Sequence, residues 1–266
     1  MEKNLYIDAS HPDETRVVLK ENGNIEDYEY EGIKNTLIKN NIYLGKVSRI
    51  EPSLQAAFID FGRERHGFLS FNDIQSDYYQ IPTNDLEKIK EEEKKVREEL
   101  AKQSEEEEKN DNDAVEKKPE DENQNEGNIK QSRAPSKRYK IQEVIKPNQV
   151  ILVQVLKDER GLKGAALSTF ISIAGKYIVL MPNTPKGGGI SRKIFNSAER
   201  KKIRSILNGI IIPKEMGLIV RTAGSNKSKN EINYDLQSLI KSWETIKENA
   251  MNSIAPKLIH QESDII

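Results

Sequence analysis

The feature that most limits how this chain can fold is a charged stretch from about Asn84 to Arg138. Its first part, K-I-K-E-E-E-K-K-V-R-E-E-L-A-K, has mixed charges and sparse apolar residues such as Ile89, Val96 and Leu100, as in a solvated helix. The rest has almost no apolar residue, a composition that predicts disorder. The hydrophobic core must therefore come from the sequence on either side of this acidic insert.

The insert also hides a charge asymmetry. Between Asp85 and Glu126 there are 18 acidic and 9 basic side chains, a net charge of −9, whereas the whole chain carries −1. The remainder therefore carries +8, which is compatible with nucleic-acid binding but does not establish it. We expect the insert to be a tolerated surface insertion in preference to a dedicated partner-binding segment.

Composition excludes several classes of protein. The absence of cysteine rules out disulfide bonds and thiolate metal sites and fits a reducing cytosol. The three histidines, His11, His66 and His260, are too scattered to suggest a metal site. The sequence shows neither a signal peptide nor an apolar stretch near the ~18 residues of a membrane span. We expect a cytoplasmic protein, with no catalytic residue, metal site or cofactor within this chain.

Short strands with turns between them flank the insert. Residues 41–50, 56–62 and 67–71 precede it, and the β-branched run Q-V-I-L-V-Q-V at residues 149–155 follows it. This spacing predicts a small barrel of the OB type, with the insert in one loop. Upstream, a strand and a hairpin at Glu21-Asn22-Gly23-Asn24 form a separate piece.

The C-terminal sequence predicts a mixed α/β domain, so the whole chain is expected to be a β-rich α+β protein. Strands are predicted at residues 176–182 and 216–220. A first helix is predicted at residues 197–207, capped by Asn196. A second, at residues 231–249, carries an apolar stripe that includes Trp243 and indicates a core-facing surface.

Aromatic and basic residues near the barrel turns are candidates for RNA contacts. Phe58, Phe61 and Phe68 surround the turn G-R-E-R-H-G, and Lys163 follows the next charged turn. Aromatic rings stack on bases and basic side chains bind phosphates. For any one phenylalanine, burial in the barrel core is the better explanation, so both interpretations stay open at this point.

Two further segments could hold an anion. The glycine-rich loop P-K-G-G-G-I-S-R-K contains Lys186, Arg192 and Lys193, but lacks the spacing of a nucleotide-binding phosphate loop. In G-L-I-V-R-T-A-G, a buried strand ends in Arg221 and Thr222, which could bind a phosphate through a guanidinium fork and a hydroxyl. An ordinary strand end with a charged tip is the alternative.

Taken together, these motifs resemble one known family. The stretch N-I-Y-L-G-K-V-S-R-I-E-P-S-L-Q-A-A-F-I-D-F-G-R-E-R-H-G-F-L is similar to the RNA-binding barrel of the ribonuclease E/G family. The segments K-G-A-A-L-S-T-F-I-S-I-A-G-K-Y-I-V-L-M-P-N, G-G-I-S-R-K and G-L-I-V-R-T-A-G resemble its 5′-end sensor, and I-H-Q-E-S resembles the end of that sensor. The resemblance covers nearly the whole chain outside the insert, in the family's order.

The resemblance implies an endoribonuclease of ribosomal and transfer RNA processing and mRNA decay, which prefers single-stranded RNA with a 5′-monophosphate. It implies RNA contacts at Phe58, Phe68 and Lys163 on the barrel and at Arg192 on the sensor. The positions that match the family's 5′-phosphate pocket are Gly175, Val179, Arg221 and Thr222.

The family also has parts to which we match no segment of this sequence. A ribonuclease-H-like piece, a nuclease domain whose two aspartates hold Mg²⁺, and a zinc-binding cysteine pair follow the sensor in the complete enzyme. We therefore expect an N-terminal portion with three regions. Residues 1–40 match a partial ribonuclease-H-like strand and hairpin, 41–168 the barrel with insert 84–138, and 169–266 the sensor.

Alternatives to this expectation stay open. The chain could act with a separately encoded nuclease domain, or it could be a stand-alone or remnant RNA-binding module without nuclease activity. Because its negative charge would repel RNA, we expect the acidic insert to point away from the RNA-binding face.

Overall fold

The computed structural model describes residues 3–11, 14–32, 38–92, 95, 139–161, 163–184, 189–210 and 216–262. Most of the predicted acidic insert, residues 96–138, therefore lies outside the described residues. So does the centre of the glycine-rich loop, residues 185–188.

A three-stranded antiparallel sheet comes first, in the order β1 (Lys3–His11), β2 (Glu14–Glu21) and β3 (Asn24–Gly32). The predicted hairpin between β2 and β3 is present. Asn22 and Gly23 both have positive φ, 47° and 92°, as the tight turn of a twisted hairpin requires. Apolar side chains of this sheet, including Leu5 and Ile7, are exposed and join neither hydrophobic core described below.

Five strands then close into a barrel, which confirms the predicted OB-type fold. They are β4 (Ile42–Glu51), β5 (Ala56–Asp60), β6 (Gly67–Ser70), β7 (Val150–Lys157) and β8 (Ala166–Ser168). Their order is β4-β5-β6-β8-β7, and pairing of β7 with β4 closes the ring. The β6–β8 pair is parallel and the other pairs are antiparallel.

Alternation along the strands builds the barrel core. Ala57, Ile59 and Leu69 have no exposed surface, whereas Phe58 and Phe68, which alternate with them along β5 and β6, are partly exposed. Two helical segments, α1 (residues 83–92) and α2 (Ile141–Val144), lie on either side of the insert. Ile89 of α1 is buried in the barrel core, so the start of the predicted solvated helix belongs to the fold.

The C-terminal part, residues 169–262, contains a four-stranded sheet and two helices. The sheet has the order β11-β12-β10-β9, built from β9 (Ile173–Ala174), β10 (Ile178–Met181), β11 (Gly189–Ile190) and β12 (Gly217–Val220). The helices are α3 (Ser197–Asn208) and α4 (Lys229–Met251), and their apolar faces pack with the sheet into a second core. As predicted, the α4 stripe faces this core, and Trp243 packs against it.

Capping residues determine where the two helices begin. The Asn196 side chain accepts a hydrogen bond from the Ala198 amide at 3.0 Å, as predicted for α3. Helix α4 begins two residues before the predicted start, because Ser228 accepts from the Glu231 amide and the Glu231 carboxylate accepts from the Ser228 amide. This reciprocal capping box satisfies amides that the helix itself leaves unpaired.

The barrel and the C-terminal part share strand β4. Tyr43 packs in the barrel core, whereas its neighbour Ile42 packs in the second core. The last strand, β13 (Lys257–His260), returns from α4 and pairs with the first residues of β4. None of the described helices is both long enough and apolar enough to cross a membrane.

Candidate functional site

A row of side chains crosses the outer face of the barrel. Phe58 on β5 lies opposite Phe68 on β6, with ring centroids 6.1 Å apart in an edge-to-face arrangement. On the other side of Phe58, the guanidinium carbon of Arg49 lies 4.4 Å from the ring centroid. Both rings are partly exposed. This row, Arg49–Phe58–Phe68, therefore offers flat aromatic and cationic surfaces to solvent.

Phe61 has a different position from the other two phenylalanines. It is 1% exposed and packs edge-to-face against Tyr43, with 5.1 Å between ring centroids. Of the three aromatic candidates around the charged turn, Phe61 is therefore a core residue. Phe58 and Phe68 remain available for a ligand.

The structure brings the two charged turns of the barrel together. The Arg65 guanidinium donates a hydrogen bond to the Gly161 carbonyl. At Gly164 a side chain would collide with the His66 carbonyl, so glycine permits this close approach. Lys163 lies exposed in the second turn, and the next residues lead into β8 beside Phe68, whose amide donates to the Ala165 carbonyl at 2.7 Å.

A second group of candidates meets at one end of the C-terminal sheet. The Arg221 amide donates to the Tyr177 carbonyl at 2.8 Å, which extends the β10–β12 pairing beyond the strands. On the other side of β12, the Ser191 amide donates to the Val220 carbonyl at 2.9 Å. The exposed Arg192 therefore follows β11 at the same sheet end as Arg221.

Three of the four residues predicted for a phosphate pocket, Gly175, Arg221 and Thr222, lie together at this end. Arg221 Nη1 donates to the Gly175 carbonyl at 2.7 Å, which fixes the guanidinium at the β9–β10 hairpin. Both Arg221 and Thr222 are exposed, so the remaining guanidinium N–H groups and the hydroxyl can reach a ligand. A planar guanidinium held in one orientation beside a hydroxyl is suited to a phosphate or another oxyanion.

Val179, the fourth predicted pocket residue, lies further along β10, where it pairs with Ala174 and Ile219. It is two residues from Tyr177, whose carbonyl accepts the Arg221 amide. Of the glycine-rich loop, Arg192 and Lys193 are described and exposed, whereas Lys186 lies outside the described residues.

Lys227, which the sequence analysis did not single out, adds a positive charge beside the hairpin. Its ammonium lies 4.8 Å from the Tyr177 ring centroid and 3.3 Å from a Glu231 carboxylate oxygen. Hydrogen bonding to Tyr177, and then to Glu231, raises the pKa of Lys227 above its usual value. The lysine therefore stays charged at neutral pH.

Arg49 and Asp235 are two further residues that the sequence motifs do not indicate. Arg49 could have been found from strand pairing, since it lies opposite Phe58 once β4 and β5 are aligned. Asp235 carried a clearer signal, because it is an acidic residue in line with the apolar stripe of α4 and next to Leu236. It is buried, and its carboxylate accepts hydrogen bonds from backbone amides of the β9–β10 hairpin.

Within the described part of the chain, no three His, Asp or Glu side chains lie close enough together to hold a metal ion. The chain contains no cysteine, so it does not supply the zinc-binding cysteine pair that the family resemblance implies for a complete enzyme.

Comparison with known proteins gives a consistent result. Residues 172–266 match the sequence profile described as the Ribonuclease E/G family. The chain is 38% identical over 264 residues to ribonuclease E of Haemophilus influenzae and to ribonuclease E of Escherichia coli. These alignments cover 99% of this chain but only 23% and 20% of the two relatives. Ribonuclease G of Haemophilus influenzae is 28% identical over 237 residues, which is 89% of this chain and 38% of that relative.

Proposed function

Because the chain belongs to the ribonuclease E/G family, we propose that it binds single-stranded RNA and senses a 5′-monophosphate. In this proposal it serves RNA processing and mRNA decay in the cytoplasm as part of an endoribonuclease of this type. Mg²⁺ and Zn²⁺ belong to the catalytic part of such an enzyme and to none of the residues described above.

The observation that carries this proposal is the fixed guanidinium of Arg221. Arg221 Nη1 donates a hydrogen bond to the Gly175 carbonyl, which fixes the orientation of the guanidinium group. The remaining guanidinium N–H groups are open to solvent next to Thr222. An anion here gains charge-assisted hydrogen bonds, which are about twice as strong as neutral ones. Arg192, at the same sheet end, supplies further positive charge for the adjoining backbone phosphates.

The barrel row supplies the second half of the proposed interface. Bases stack on Phe58 and Phe68, and Lys163 contacts the backbone beside them. Stacking on an aromatic ring contributes about 1–3 kcal/mol per base without requiring a particular sequence. RNA held at both the barrel and the pocket would be presented in a fixed register to a nuclease site. A 5′-triphosphate, which is larger and carries more negative charge than a monophosphate, would fit poorly in such a pocket.

Substitution of Arg221 tests the pocket. We expect Arg221→Gln to weaken binding of a 5′-monophosphorylated single-stranded RNA by about ten-fold or more, because a charge-assisted hydrogen bond is lost. Binding of the same RNA with a 5′-hydroxyl should change less than about two-fold. Fluorescence anisotropy of a labelled RNA at fixed salt measures both affinities.

The matched control is Lys241→Gln, which removes one positive charge from an exposed position in the middle of α4. This position lies 12 residues after Lys229, the first residue of the helix. It should leave the preference for the monophosphate unchanged. Equal loss of both RNAs on Arg221→Gln would contradict the proposal, because Arg221 would then be a general backbone contact or a folding residue.

A further inference from the structure

A buried carboxylate faces the hairpin that holds Arg221. Asp235 lies on α4 and is 9% exposed. Its two oxygens accept hydrogen bonds from three consecutive backbone amides, those of Lys176 at 3.3 Å, Tyr177 at 2.9 Å and Ile178 at 3.2 Å. Successive amides that converge on one anion form a strong site, so this carboxylate determines the conformation of the hairpin.

Gly175 is part of the same arrangement. A Cβ atom at this position would lie 2.7 and 2.8 Å from the two carboxylate oxygens of Asp235. Any side chain at residue 175 would therefore displace either the hairpin or the carboxylate. Glycine is required at position 175 because the Asp235 carboxylate, which α4 carries, lies directly beneath the hairpin.

The hairpin in turn accepts two hydrogen bonds from Arg221. Its Tyr177 carbonyl accepts the Arg221 main-chain amide at 2.8 Å, and its Gly175 carbonyl accepts the Arg221 side chain at 2.7 Å. One hairpin of four residues therefore connects the buried Asp235 to both the backbone and the guanidinium of Arg221.

We infer that Asp235 is a positioning residue for the 5′-phosphate pocket and acts through the 175–178 hairpin without touching RNA. This inference rests on the proposed function. By occupying the hairpin amides, Asp235 also withholds them from an incoming phosphate, which leaves the outward side of Arg221 and Thr222 as the place where the phosphate binds.

The nearly isosteric change Asp235→Asn tests the inference. The amide nitrogen cannot accept a hydrogen bond and would face an N–H donor, so at least one hairpin contact is lost. We expect affinity for 5′-monophosphorylated RNA to fall about five-fold, as loss of one such contact of ~1 kcal/mol implies. Binding of 5′-hydroxyl RNA should stay within two-fold.

A double-mutant cycle separates positioning from general destabilisation. If Asp235 acts through Arg221, then Arg221→Gln should cost much less monophosphate affinity in the Asp235→Asn background than in the wild type. If the two substitutions lower the affinity independently, so that the double variant shows the product of the two fold-changes, the inference is wrong. Glu244→Gln, an exposed carboxylate nine residues further along α4, is the matched control and should not change the preference.

The outcomes are distinguishable. If the wild type itself shows no preference for a 5′-monophosphate, the proposed function fails. If the wild type shows it and folded Asp235→Asn retains it within two-fold, the inference about Asp235 fails. Should Asp235→Asn not fold, as judged by circular dichroism, Gly175→Ala carries the test, because it disturbs the same contact. Retention of the preference in Gly175→Ala would overturn the inference.

Discussion

At the scale of single residues, protonation of His260 makes the stability of the fold depend on pH. It ends β13 and is partly buried. Burial lowers the pKa of its imidazole below the usual value of 6.5, and the negative charge of Glu262 opposes this shift without cancelling it. The folded protein therefore binds a proton at His260 less readily than the unfolded chain does.

The sign of the effect on stability follows from this difference. As pH falls below about 6.5, the unfolded state takes up the proton first, so the free energy of unfolding decreases until pH reaches the lower pKa of the folded state. We expect urea midpoints to fall between pH 7.5 and 5.5, and to fall less in His260→Asn. The same pH dependence in both proteins would contradict this role for His260.

Individual site residues differ in how far the sequence could predict them. The motifs around Phe58, Phe68 and Arg221 were sufficient to select those side chains through their resemblance to a family. The contact between Arg221 and Gly175 depends on two strands about 46 residues apart, and no local pattern carries it. Asp235 could have been suspected only because an acidic residue stood beside a buried stripe.

At the scale of elements, the start of α4 beside the pocket depends on its capping box. Ser228→Ala removes the acceptor for the Glu231 amide, and we expect it to cost about 1 kcal/mol of unfolding free energy. Urea denaturation followed by circular dichroism measures the loss. Ser238→Ala, at an exposed position in the middle of the same helix, should cause no comparable loss. An equal cost at both positions would show that the cap is not the cause.

Elements with strong periodicity were predictable and those set by distant pairing were not. The alternation in β4 and the β-branched run in β7 identified these strands from sequence. By contrast, β9 and β11 have only two residues each, and they are strands because β10 and β12 lie beside them. Burial of Ile89 in α1 was missed because its neighbours in the sequence are charged.

At the scale of the whole molecule, Gln154 joins the barrel to the C-terminal part. It is 1% exposed, and its amide donates to the Asn40 and Ser172 carbonyls, each at 2.8 Å. Its side-chain oxygen accepts from the Ser172 amide, also at 2.8 Å. One buried side chain thus satisfies the backbone on both sides of the junction.

Gln154→Leu should therefore destabilise the protein. Each buried polar group left unpaired costs about 1–3 kcal/mol, so we expect a loss of at least about 2 kcal/mol in the free energy of unfolding. The chain has one tryptophan, Trp243, whose fluorescence reports unfolding of the C-terminal core. Gln237→Leu, at an exposed position of α4, is the control. A midpoint equal to that of the control would rule out this function of Gln154.

The return of β13 to β4 has a practical consequence. The Glu262 amide donates to the Asn41 side-chain oxygen at 3.0 Å, so residues 41 and 262 lie side by side although 221 positions separate them. A block of structure whose entry and exit adjoin can be transplanted as a cassette, because a host loop need not stretch to accommodate it. Residues 38–262, which keep Ile38 in the barrel core and Asn40 in place for Gln154, could thus be spliced into an exposed turn of an unrelated carrier protein, which would acquire both the barrel and the pocket through a single insertion.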